Sequence, residues 1–155
     1  MTHSHANGGY QEVKLDDLYQ EVILDHNRHP RNFKKLDDAN AYSHGYNPLC
    51  GDDYQLYLVV DNGGIIKKVG FEGQGCAISK SSASIMTTMI EGKTLQEAEE
   101  LRNHFIHLVT DDSGAEARDK VGRLKLFEGV KKFPVRVKCA TLIWHALEDA
   151  LKDKK

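Results

Sequence analysis

The residues best suited to chemistry in this chain are three cysteines, Cys50, Cys76 and Cys139, and Asp52, two positions after the first of them. Each cysteine falls at the margin of a secondary-structure pattern. Cys50 precedes the apolar run YQLYLVV, Cys76 precedes the helical pattern AISKSSASIMTTMIEG, and Cys139 lies on the first turns of the last helical stretch. Inert thiols pack inside elements, so this placement favours reactivity or ligation. A helix N-terminus also stabilises a thiolate, which applies most directly to Cys76. An odd cysteine count without a CxxC pair is a poor disulfide framework. The thiols are therefore buried core groups, metal ligands or nucleophiles.

The elements that must position them follow from periodicity. YQLYLVV (54–60) and IIKKVGF (65–71) flank DNGG, and Asn-Gly is the strongest short-range hairpin signal. A turn centred on Asn62–Gly63 pairs Tyr54 with Phe71, Leu56 with Val69 and Val60 with Ile65, leaving Lys67 as a misfit opposite Leu58. Extended outward, this register sets position 50 opposite 75 and 52 opposite 73. A turn at Gly63–Gly64 moves the partner of 50 to 77, so Cys50, Asp52 and Cys76 are expected at one end of the hairpin in either case. Two thiolates and a carboxylate are thereby clustered, and Cys139 would complete a four-ligand set. Such a set suits tetrahedral Zn²⁺, with iron in a cluster as the alternative and buried, incidental thiols as the bland one.

Around this hairpin, Leu15, Leu18, Val22 and Ile23 fit a helix over 15–26 that stops before His29–Pro30. The stretch from Pro30 to Tyr46 reads as a loop with a short edge strand. Ile78, Ser82, Ile85 and Met89 share one helical face ahead of Gly92, and Thr94 with Glu97 forms a capping-box pattern. Residues 110–120 read as a surface loop. The last helix is expected from Pro134 to about Leu151, with Cys139, Ile143, Ala146 and Ala150 on one stripe. The fold class is α+β, a small antiparallel sheet of about three strands packed against several helices. Residues 1–10 are expected to be a flexible tail and 11–155 a single domain.

Composition narrows the partners. The chain has 155 residues, 40% hydrophobic and 28% charged, with a formal net charge of −2. That is ordinary for a globular protein, and no basic face points to nucleic acid or an anionic membrane. Without an apolar run of spanning length or a signal-like N-terminus, the expected location is the cytoplasm.

Taken together, Cys50-Gly51-Asp52 before a strand, Gly73-Gln74-Gly75-Cys76 leading into AISKSSAS, and Arg136-Val137-Lys138-Cys139 resemble the IscU/SufU family of iron–sulfur cluster assembly proteins. The resemblance runs from LYQEVILDHNRHPRN to the end of the chain. The IscU branch has histidine directly before its third cysteine; this chain has Lys138 there, followed by CATL and preceded by an inserted segment within 93–130, as in the SufU branch. The resemblance implies a zinc-dependent sulfur acceptor with Cys50, Asp52, Cys76 and Cys139 as zinc ligands. Cys50 would receive sulfur from a SufS-type cysteine desulfurase whose histidine takes its place on the metal, and Arg136 would act in the docked site. A SufBCD-type assembly complex is the implied recipient. The alternative is an IscU-type scaffold on which a [2Fe–2S] cluster is assembled.

Blander readings stand beside these. Asp52 also suits a turn bonding to nearby amides, and Arg136 a surface ion pair. His104 with His107 reads as a solvated or half-buried pair, His26 and His29 as donors to helix-terminal carbonyls, and Met86 with Met89 as core filling. A purely structural zinc module is the third functional class.

Overall fold

Strand β2, Asp52–Val60, is the centre of the molecule because its residues are apolar on both faces of the pleat. It pairs antiparallel with β1, Ala41–Asn47, on one side and β3, Ile66–Gln74, on the other, giving a three-stranded meander in the order β1-β2-β3. This computed structural model describes residues 19–110, 115–152 and 154. The expected tail and the start of the first helix lie outside them. Helix α1 occupies residues 19–28 and ends ahead of Pro30, as the constraint on a residue preceding proline requires. β1 alternates buried and exposed residues along its length, as an edge strand with one wet face does.

The hairpin forms, but its register differs from the two-residue turn expected. Tyr54 faces Gly73 rather than Phe71, Leu56 faces Phe71, and Leu58 faces Val69. The cause is Asp61. Its Oδ1 accepts the N–H groups of Gly63 and Ile65, both at 2.9 Å, and its carbonyl accepts Gly64 N–H at 3.0 Å. The loop therefore holds three residues and closes with Gly64 in the left-handed region at φ +81°. A bulge then shifts the register between Val59 and Val60, where Val60 faces Ile66 and Val59 faces Lys68. Lys67 is the unpaired residue, which removes the misfit opposite Leu58.

Helix α2, Ala77–Ile90, and helix α5, Pro134–Lys152, pack together beneath the sheet, with α5 crossing β1 and β2. Gly45 allows that crossing: a Cβ there would stand 3.4–3.5 Å from Leu142 and Ala146 of α5. Helix α3, Leu95–Thr110, starts at the expected capping box. Thr94 Oγ1 accepts Glu97 N–H at 3.0 Å, and Glu97 Oε1 accepts Thr94 N–H at 2.9 Å. The core between sheet and helices is built on Trp144, Tyr54, Phe71, Phe105 and Phe127.

Two segments depart from the sequence reading. Within the expected loop 110–120, Ala115–Arg118 form a single helical turn, α4. Gly122–Lys132 form a 3₁₀ helix that buries Leu124, Leu126, Phe127 and Val130 and packs against α3 and α5. No helix among the described residues is long and apolar enough to cross a membrane.

Candidate functional site

The three loop-and-terminus positions that carry the cysteines meet at the end of the sheet opposite the hairpin turn. Cys50 lies in the β1–β2 connection. Asn47 builds that turn: its Oδ1 accepts Leu49 N–H at 3.1 Å, its carbonyl accepts Cys50 N–H at 3.3 Å, and its amide donates to Cys50 Sγ at 3.7 Å. Gly51 follows at φ +71°, a conformation glycine adopts without steric cost. Asp52, the first residue of β2, is fully buried. Its Oδ1 accepts the backbone N–H of Cys76 at 3.0 Å, tying the start of β2 to the β3–α2 junction.

Cys139 arrives from the buried stripe of α5, whose first turn begins with Pro134 where no amide is needed. Its thiol donates to Cys50 Sγ at 3.1 Å. Burial, reinforced by the hydrogen bond to Cys50, pushes the Cys139 thiol well above the usual thiol range. Cys50, by contrast, is half-exposed and its sulfur receives two donors.

Ligand atoms of Cys50, Asp52 and Cys139 all lie within 4.8 Å of one another. Asp52 Oδ2 is buried and has no hydrogen-bond partner among the described residues. A buried carboxylate oxygen left bare is costly unless a charge or donor meets it. Two thiols converging beside that bare oxygen make a donor set suited to a thiophilic divalent cation such as zinc. The residues present fit such an ion.

Cys76 stands beside this group rather than inside it. It is the N-cap of α2, and its sulfur accepts Ser79 N–H at 3.4 Å. Arg136 is one helical turn before Cys139 and exposed, with its guanidinium 4.5 Å from the centre of the Phe133 ring. Lys138 is exposed. Asp52 proves to be more than a surface turn, since both its burial and its bond to the Cys76 amide span two distant segments. Asn47 was missed; its signal was the Asn-Pro pair three residues before a cysteine. Tyr54 and Ser79, whose hydroxyls meet at 3.0 Å beneath the site, were read only as strand and helix residues. Burial raises Tyr54 well beyond the ordinary phenol range, so it stays a neutral hydroxyl.

His26 also departs from expectation. It is buried, with Nδ1 2.7 Å from Ser84 Oγ of α2, rather than serving helix-terminal carbonyls.

The chain is similar to known proteins in sequence and in fold. A zinc-dependent sulfurtransferase, SufU, from Bacillus subtilis is 43% identical over 138 residues, covering 88% of this chain and 90% of the relative. An iron–sulfur cluster assembly scaffold protein, IscU, from Streptococcus pyogenes is 39% identical, covering 90% of this chain and 86% of the relative. A crystal structure from Fervidobacterium islandicum, described as an iron–sulfur cluster assembly scaffold protein for the SUF system, superposes with a TM-score of 0.78 at 39% identity. That match covers 84% of this chain and 94% of the other. A NifU-like N-terminal protein from Brucella abortus shares the fold at 23% identity with a TM-score of 0.79, over 91% of this chain and 98% of the other. The profile of the NifU-like N-terminal domain matches residues 18–153, and this chain belongs to that family.

Proposed function

We propose that this protein is a zinc-dependent sulfur acceptor in iron–sulfur cluster biogenesis. It takes persulfide sulfur on Cys50 from a SufS-type cysteine desulfurase and passes it on, with a SufBCD-type assembly complex as recipient. The observation that carries the reading is the bare, buried Asp52 Oδ2 beside the thiols of Cys50 and Cys139. Cys50, Asp52 and Cys139 would hold the ion, with Cys76 as the fourth donor. When bound, zinc keeps its thiols deprotonated at neutral pH and, having no redox chemistry, does not promote their oxidation.

Cys50 is the acceptor because it is the thiol on a loop. It is half-exposed, next to Leu49 at 70% exposure and to Gly51, whose backbone freedom lets the loop move. The Cys50 thiolate attacks the terminal sulfur of the partner's persulfide. A new sulfur–sulfur bond forms at Cys50 while the partner's breaks, and the partner's cysteine leaves as a thiolate. Arg136, three residues before Cys139 and beside the exposed Phe133 and Val135, belongs to the docking rim. The similarity to SufU, and Lys138 where the IscU branch has histidine, support this branch.

The test is incubation with a SufS-type desulfurase and cysteine, followed by mass spectrometry of the three thiols. Sulfur added to Cys50 is expected, and Cys50→Ser should lose it while keeping the fold. A Cys50→Ser protein that stimulates desulfurase turnover as well as wild type would sink the assignment. The scaffold reading draws on the Streptococcus pyogenes relative. It predicts a brown protein after anaerobic reconstitution with iron and sulfide, where the acceptor reading predicts a colourless one with stoichiometric zinc.

A further inference from the structure

We propose that Tyr54 and Ser79 are positioning residues for Cys76, a hydroxyl pair that fixes where this thiol points. Cys76 is the one cysteine outside the three-way group of Cys50, Asp52 and Cys139. Its sulfur is not free, however. Ser79 N–H donates to Cys76 Sγ at 3.4 Å, and the Cys76 thiol donates to Ser79 Oγ at 3.6 Å. The Ser79 hydroxyl in turn donates to the Cys76 carbonyl at 3.1 Å.

A serine hydroxyl has one proton and two lone pairs. With the proton directed at the Cys76 carbonyl, Ser79 Oγ must accept from Tyr54, whose hydroxyl stands 3.0 Å away. Ser79 Oγ is then fully used: it gives to the carbonyl and receives from the thiol and the phenol. Ser79 is 1% exposed and Tyr54 fully buried, so solvent does not compete for these bonds.

Gly75 belongs to the same device. A Cβ there would stand 2.5 Å from Asp52 Oδ1, 2.6 Å from Ser79 Oγ and 2.6 Å from Tyr54 Oη. Three polar atoms thus converge over a residue that must lack a side chain. The consequence is for the site: the pair holds Cys76 beside the other donors in one orientation, setting it up as the fourth ligand. Only the zinc part of this inference rests on the function proposed above.

The experiment measures alkylation of each thiol in metal-free protein by mass spectrometry, and zinc affinity by competition with a chelator. In Ser79→Ala, Cys76 should react about 5-fold faster, the loss expected for one hydrogen bond. In Tyr54→Phe, which removes one oxygen, the increase should be about 2-fold. The double variant should fall short of the product of the two, because both act through one chain of bonds. Cys50 and Cys139 should keep their wild-type rates, and zinc affinity should fall about 10-fold in either variant. Unchanged Cys76 rates in both variants overturn the inference, as does a parallel rise at all three thiols, which would mean general loosening. If Ser79→Ala does not fold, Tyr54→Phe decides the matter by the same comparison. A wild-type protein that takes no sulfur on Cys50 defeats the function proposed above and leaves the Cys76 comparison intact.

Discussion

Two clusters of buried polar groups lie along α2, and they are satisfied to different degrees. In the middle of the helix, Ser82 Oγ donates to the Ala140 carbonyl at 2.7 Å and accepts Trp144 Nε1–H at 3.1 Å. Nearby, Ser84 Oγ meets His26 at 2.7 Å and accepts Arg31 N–H at 2.8 Å, while Thr87 Oγ1 accepts the Asn32 amide at 3.0 Å. At the N-terminal end of the same helix, the buried Asp52, Ser79 and Tyr54 form a network with the half-buried Cys76, in which Asp52 Oδ2 has no hydrogen-bond partner among the described residues. Burying polar atoms is costly unless they are bonded. The middle cluster offsets that cost internally and holds α1, α2 and α5 together. The end cluster leaves one oxygen open beside two thiols, a donor set that suits a bound cation better than a core.

The largest effect should come from closing that opening. Asp52→Asn keeps an oxygen for the Cys76 amide and places a neutral group at the bare position. Zinc affinity should fall by at least about 100-fold, since a charged ligand matters more than the outer partners worth about 10–100-fold. The melting temperature of the metal-free protein should hold, because the oxygen that accepts the Cys76 amide is retained. If the metal-free variant unfolds instead, the open carboxylate is structural and the two clusters do not differ in kind.

The middle cluster should respond in the opposite way. Ser84→Ala strands His26 Nδ1 and Arg31 N–H and should cost about 1–3 kcal/mol in a denaturant titration, with zinc affinity unchanged. His26 gives the same cluster a pH signature. Burial, with the cations Arg31 and Arg123 facing it against Asp25, pushes His26 down to about 4 from its ordinary 6.5. Between those values the unfolded chain binds the proton and the folded one does not. Stability is therefore fully present above about pH 6.5 and falls as the pH drops toward 4. His26→Phe should flatten that slope in thermal melts of metal-free protein; an unchanged slope would assign it to other groups.

The end cluster was more legible in the sequence than the middle one, and the reason is physical. Cys50, Asp52 and Cys76 sit on or beside a strand pair whose side-chain period is two. The actual register from Asp53 to Val59 differs from the Asn62–Gly63 reading by two, an even step, so the residues along it kept their faces and the three groups stayed neighbours. What was lost was the turn itself, because the Asp61 carboxylate recruits two amides and lengthens it. Helix–helix contacts have no such register to read. His26 and Ser84 are 58 residues apart and meet only through packing of α1 on α2. The 3₁₀ segment escaped for a related reason: Leu124, Leu126, Phe127 and Val130 follow neither a period of two nor one of 3.6.

The smallest effect tests how local the end cluster is. Gly64 and Gly75 flank the nine-residue strand β3, one at the turn and one at the site, at opposite ends of about 30 Å of strand. Gly64 has φ +81° and open space around the position of a Cβ, so Gly64→Ala adds only backbone strain, about 1 kcal/mol. That should lower the melting temperature by about 2–4 °C. Zinc affinity and the three thiol rates should not move, because Asp61 still anchors the loop by its side chain. Gly75→Ala drives a methyl group into three oxygens and cannot be relieved without moving Asp52, Ser79 or Tyr54. Equal loss of zinc in the two variants would mean that strain travels the length of the hairpin, and the site would then owe its geometry to the whole sheet rather than to the residues at its end.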